Sequence, residues 1–134
     1  MIAILVQIFL VSSLINLLWE VIHSQLYTTC LQAPLKKFIP LIVGASLKDG
    51  FWISSFFLVS IYIFGNVNIL TSQFQLLFFI FLALVFAFVD EKVSLRMKRW
   101  EYSKQMPKIF GVGICPFLEL AVTGTLTFFY VFFV

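Results

Sequence analysis

Charge is what this sequence has least of. Only 11% of its 134 residues are charged, against about 25% in soluble globular domains, and that shortage excludes an ordinary soluble fold. There is one His, and there are two Cys. Cys30 and Cys115 form no C-x-x-C, so a thiol-oxidoreductase role and a structural disulfide are both disfavoured. No P-loop and no glycosylation sequon occurs, and Gly111-x-Gly113 lacks the rest of a dinucleotide fingerprint; a helix–helix contact is the better account of it. The N-terminus lacks the positive region of a cleaved signal peptide, so Met1 is expected to begin the mature chain.

What the chain has in abundance is apolar: 62% hydrophobic residues, 18 of them Phe, and a mean hydropathy of +1.08. A helix needs roughly 20 apolar residues to cross a hydrocarbon core about 30 Å thick. Runs of that length recur, which predicts an all-α fold: one integral membrane domain, a four-helix transmembrane bundle. The expected spans are residues 2–26, 40–66, 69–90 and 108–133. Between the first two, residues 31–49 read as irregular. Pro40 suits a first helical turn, and Lys48-Asp49 interrupts the apolar run, so a bent helix and an interfacial helix before a short span are both open.

The basic residues set the topology. All nine fall in two places: Lys36, Lys37 and Lys48 between spans 1 and 2, and Lys92, Arg96, Lys98, Arg99, Lys104 and Lys108 between spans 3 and 4. The loop from Gly65 to Gln73 has none. The positive-inside rule therefore puts both basic loops in the cytoplasm and both termini outside, in a cell membrane. Trp19, Trp52 and Trp100 then all fall at inner ends, the headgroup level that indole rings favour. Lys92, Arg96 and Arg99 recur at helical spacing beside Val93, Met97 and Trp100, which predicts an amphipathic cytoplasmic helix over residues 91–103. Lys92, Arg96, Arg99 and Trp100 are its candidate lipid-headgroup contacts. The net charge is an orientation signal, and nucleic-acid binding is not expected.

The remaining signal is the set of polar groups that lipid penalises. Glu20 comes roughly 27 Å along span 1, Asp90 roughly 31 Å along span 3, and Asp49 opens span 2 from the inside. Carboxylates from three helices thus converge on the cytoplasmic edge. His23 follows Glu20 at i+3, with Ser24 and Tyr27 alongside. Glu119 differs, lying about 16 Å into span 4 counted from Lys108, near the midplane. A carboxylate there faces the bundle interior, pairs or is protonated. Pro116 before it frees a carbonyl and Thr123 lies one turn after it, together a polar pocket, unless Glu119 is packing glue toward Asn16 or Ser54.

Glu20-x-x-His23 is the pair that di-metal carboxylate bundles use, but with one His in the chain no metal is expected, and no cofactor either. A hydrogen-bond network and acid/base chemistry both remain open for the cluster, with Glu119, His23, Glu20, Asp49 and Asp90 as candidate catalytic residues.

Three functions fit these residues. The first is a protein that binds a lipid or isoprenoid-like molecule near the inner leaflet, with or without enzyme activity. The second is a small transporter or channel subunit with Glu119 on a proton or ion pathway, and the third a structural or assembly subunit. Membrane lipids are the expected partners. A chain this small has little interior to hide Glu119, which points to a homo-oligomer or a partner membrane subunit.

Asp90, Trp100-x-Tyr102, the glycines and Pro116-x-x-Glu119 ahead of a Phe-rich run resemble the lycopene cyclase-type domain. There an Asp, an aromatic pair, a glycine and Pro-x-Glu-Glu precede such a helix. The resemblance is confined to residues 90–119, and Leu118 stands where that pattern has an acid. It implies Glu119 as an acid that protonates a polyene double bond in a dry pocket. The whole sequence also resembles small bacterial four-span membrane proteins, a likeness that carries no activity with it.

Overall fold

The apolar runs become helices whose ends are set by local chemistry. The computed structural model describes all residues, Met1–Val134. Helix α1 spans Ile2–His23 and tightens into a 3-10 turn over Ser24–Leu26. Tyr27 is extended, and a single turn, α2, follows over Thr28–Leu31. Helix α3 runs unbroken over Leu35–Phe64 and α4 over Gln73–Arg96. A two-residue-per-strand hairpin, β1 Lys108–Ile109 and β2 Val112–Gly113, leads into α5, Ile114–Phe133. The chain is therefore all-α apart from one small antiparallel ribbon.

Residues 31–49 are more regular than expected. Pro34 caps α3, so Pro40 falls in its second turn. There it leaves the Lys36 carbonyl without an intrahelical donor, yet the helix continues through Lys48 and Asp49 to Gly65. That glycine stops it in the left-handed conformation (φ 72°), its N–H donating to the Ile61 carbonyl, the usual glycine C-terminal stop. At 30 residues, α3 is about 45 Å long, well beyond the hydrocarbon thickness.

The expected amphipathic helix over 91–103 is cut short. Helix α4 ends at Arg96, and Lys98 takes a positive φ of 54°. The segment that follows is strapped to the end of α1: the Thr28 N–H donates to the Glu101 carbonyl (3.0 Å) and the Ser103 N–H to the Leu26 carbonyl (2.8 Å), with Tyr27 and Tyr102 bridged between them. Pairing of backbone groups between two distant segments outcompetes continuation of the helix. Residues 108–113 are likewise not the start of span 4. Phe110 and Gly111 both have positive φ, the mark of a tight hairpin turn, so Gly111-x-Gly113 serves a turn and not a helix contact.

Helix α1 packs between α3 and α5, and α4 closes the ring against the same two helices. The core is aromatic. Phe57, Phe79 and Phe128 are fully buried with Ile8, Ile53 and Ile69, and the Phe79 and Phe128 rings meet edge-on at 4.7 Å. Gly124 lets Phe79 in, because a Cβ there would collide with the ring tip. The outer surface is apolar, with Leu14, Leu18, Phe74, Phe81 and Phe133 all exposed. Ile2–Leu26, α3 and α5 are long and apolar enough to cross a membrane. The chain is a membrane protein built as a helix bundle.

Candidate functional site

The end of the bundle that carries the basic loops contains a cavity of about 350 Å³. Its walls come from α1 (Glu20), the 27–30 segment, α3, α4, the loop after α4 and α5. Pro40, Leu41, Ile42 and Ala45 supply one apolar side, and Ala87, Pro116 and Leu120 the other. Three carboxylates meet here: Glu20, Asp49 and Glu119 each offer an oxygen, and these oxygens lie within 4.8 Å of one another. Asp49 and Glu119 are each only 8% exposed, and Glu119 Oε1 is buried with no hydrogen-bond partner. In the same cavity Lys48 Nζ pairs with Asp90 at 3.1 Å and lies 5.6 Å from the centre of the Trp100 ring.

Beside the three acids, Glu91 is held in a donor box. Its Oε1 accepts from Tyr102 Oη (2.6 Å), Trp100 Nε1 (3.0 Å) and Tyr27 Oη (3.3 Å). The Tyr102 oxygen in turn accepts the Gly113 N–H at 2.9 Å. Burial first, then the bond to Glu91, pushes the Tyr102 phenol above the usual tyrosine range. Burial and the Glu91 charge do the same to Tyr27. Both phenols therefore stay protonated donors. This box fastens the loop after α4 onto α4 itself and fixes the Trp100 side of the cavity.

Of the candidate catalytic residues, Glu20, Asp49, Glu119 and Asp90 come together as wall residues of one cavity, and His23 does not. The His23 ring stacks on Trp19 with centroids 4.5 Å apart and donates from Nδ1 to the Trp19 carbonyl at 2.9 Å. The i+3 spacing from Glu20 fails here because the turn back onto Trp19 satisfies the imidazole locally. Glu119 lies nearer the start of its helix than the count from Lys108 gives. Because α5 begins only at Ile114, Glu119 lies about 8 Å from its start, level with Glu20 and Asp49. For the same reason Pro116 sits in the first turn, where no intrahelical bond is lost. Glu119 is not glue to Ser54, which donates to the Gly50 carbonyl, and it is buried within one chain without help from a second copy.

The four candidate headgroup contacts separate. Trp100 and Arg99 line the cavity, Arg96 is exposed, and Lys92 Nζ lies 5.6 Å from the Phe88 ring centre. Cys30 and Cys115 are free thiols. Sequence reasoning missed the Glu91 box. Its signal was available in Asp90-Glu91 followed by Trp100-x-Tyr102, since two aromatic donors near a membrane-edge acid demand a partner. No protein-family model, curated protein or solved structure matches the chain.

Proposed function

We propose that the chain is a multi-pass cell-membrane protein whose inner-leaflet cavity takes a lipid or isoprenoid-like amphiphile, with Glu20, Asp49 and Glu119 addressing its polar or reacting part. The observation that carries this is the cavity itself: apolar walls at the membrane edge, ending on three acids. A purely structural cluster would be closed and paired. Where burial excludes water, a carboxyl group is fit to deliver or accept a proton, the role that the resemblance to lycopene cyclase-type domains implies for Glu119.

In this reading α4 is the fourth span, because residues 74–89 carry no charge and its 24 residues reach roughly 36 Å. The two basic loops then lie in the cytoplasm and both termini outside. In a chain with Cys30 and Cys115 replaced, single cysteines at Asn66 and Val134 should label from outside intact cells and one at Lys98 should not; labelling at Lys98 would reverse the orientation.

The test of the cavity uses Gly44, which lines it and has open space where a Cβ would project. Native mass spectrometry of the purified chain should find a co-purified amphiphile, and Gly44→Trp should expel it while the protein still melts cooperatively. An equal lipid load in that variant would sink the proposal.

A further inference from the structure

The five acids around the cavity are not equivalent. Asp90 is neutralised by Lys48 at 3.1 Å, and Glu91 is saturated by three donors. Glu20, Asp49 and Glu119 have no such partners and lie against one another instead. They are also the three whose oxygens converge within 4.8 Å. Of the two neighbouring cations, Lys48 is committed to Asp90, and Arg99 reaches Met97 Sδ at 3.6 Å. A second, separate observation is that Glu119 Oε1 is more than nine-tenths buried and unpartnered in the cavity wall. An unpaired acceptor in such a place is costly unless something fills it.

We propose that Glu20, Asp49 and Glu119 bind a hard divalent cation at the acidic end of the cavity. Carboxylate oxygens with no nitrogen or sulfur donor select the hard dications. The spacing fits. Oxygens on opposite sides of one Ca²⁺ stand about 5 Å apart, twice a bond of roughly 2.3–2.6 Å, and on Mg²⁺ about 4 Å apart. Oxygens within 4.8 Å of each other can thus close on one ion with small side-chain movements. Three helices supply one ligand each, α1, α3 and α5, so the ion would also tie them together. The rest of the coordination sphere faces the cavity, open to water or to an oxygen-bearing ligand. This goes beyond the preceding proposal, since the ion needs no amphiphile in the apolar part.

The test is Mn²⁺ binding to the full chain in detergent micelles after chelator treatment, read as loss of the free-ion electron paramagnetic resonance signal. One Mn²⁺ per chain is expected, displaced by Ca²⁺ or Mg²⁺. Glu119→Gln, which keeps the shape and removes the charge, should weaken binding at least tenfold, and Glu20→Gln should do the same should the first variant fail to fold. Glu101→Gln, an exposed acid outside the cavity, should leave it within twofold. Absence of stoichiometric binding to the wild-type chain overturns the proposal, as does binding that the cavity variants leave unchanged or that Glu101→Gln weakens equally. Because this measurement reads the ion and the mass-spectrometric one reads the amphiphile, failure of one is distinct from failure of the other.

Discussion

The two ends of the bundle treat polar groups in opposite ways. At the Gly65 end most polar groups are matched and the space between helices is filled. Gln75, fully buried, donates from Nε2 to Ser60 Oγ (3.1 Å) and to the Asn66 carbonyl (2.9 Å), and only its Oε1 lacks a partner. Asn66 and Asn68 fold the turn with their own amides, and Thr127 donates back to the Thr123 carbonyl one turn earlier. Phe57, Phe79 and Phe128 fill the space next to them. At the other end there is a void, and three acids face it without donors. A single orphaned atom in a filled core, such as Gln75 Oε1, has no room for a ligand, whereas acids grouped around an empty space do.

That contrast predicts unequal costs. Phe79→Ala should be the most damaging change, losing roughly 3–5 kcal/mol, because it opens a hole in the filled end; calorimetry or a cysteine-reactivity melt in detergent measures it. Gly124→Ala should cost about 1–3 kcal/mol by forcing Phe79 aside. A loss as large from Glu119→Gln would break the comparison, since the open end would then be structural too.

Tyr102→Phe comes next, at about 1.5–3 kcal/mol, because Glu91 loses its shortest donor and the Gly113 N–H its acceptor. The phenol also gives a pH signature. A proton held more tightly in the folded chain stabilises it fully below the unfolded tyrosine pKa of about 10, and that contribution fades as pH rises beyond it. The wild type should therefore lose stability above about pH 10 more steeply than Tyr102→Phe. Phenolate absorbance from Tyr27 and Tyr102 should appear only with unfolding.

The mildest effects belong to the open end. Glu119→Gln should leave the melting temperature nearly unchanged, because Gln keeps the shape and most of the hydrogen-bonding capacity of the acid, while abolishing any activity that uses it. Gly44→Ala should stabilise by about 0.5–1 kcal/mol, the ordinary gain for replacing a mid-helix glycine where space permits.

The sequence by itself determined the membrane class, the positions of the long helices and the shared level of Glu20, Asp49 and Asp90. Those follow from apolar run length and from where charge is tolerated, which are properties of consecutive residues. Tertiary structure alone decided the rest. Glu119 joined the acids only because the backbone before Ile114 turns as a hairpin, which shifts the start of α5 by a turn and a half and so changes the depth of everything on it. His23 left the cluster because a carbonyl one turn back was nearer than any partner helix. Which acids are spent, Asp90 on Lys48 and Glu91 on three donors, and which remain free depends on contacts between segments up to 64 residues apart. Periodicity along one helix cannot encode such contacts.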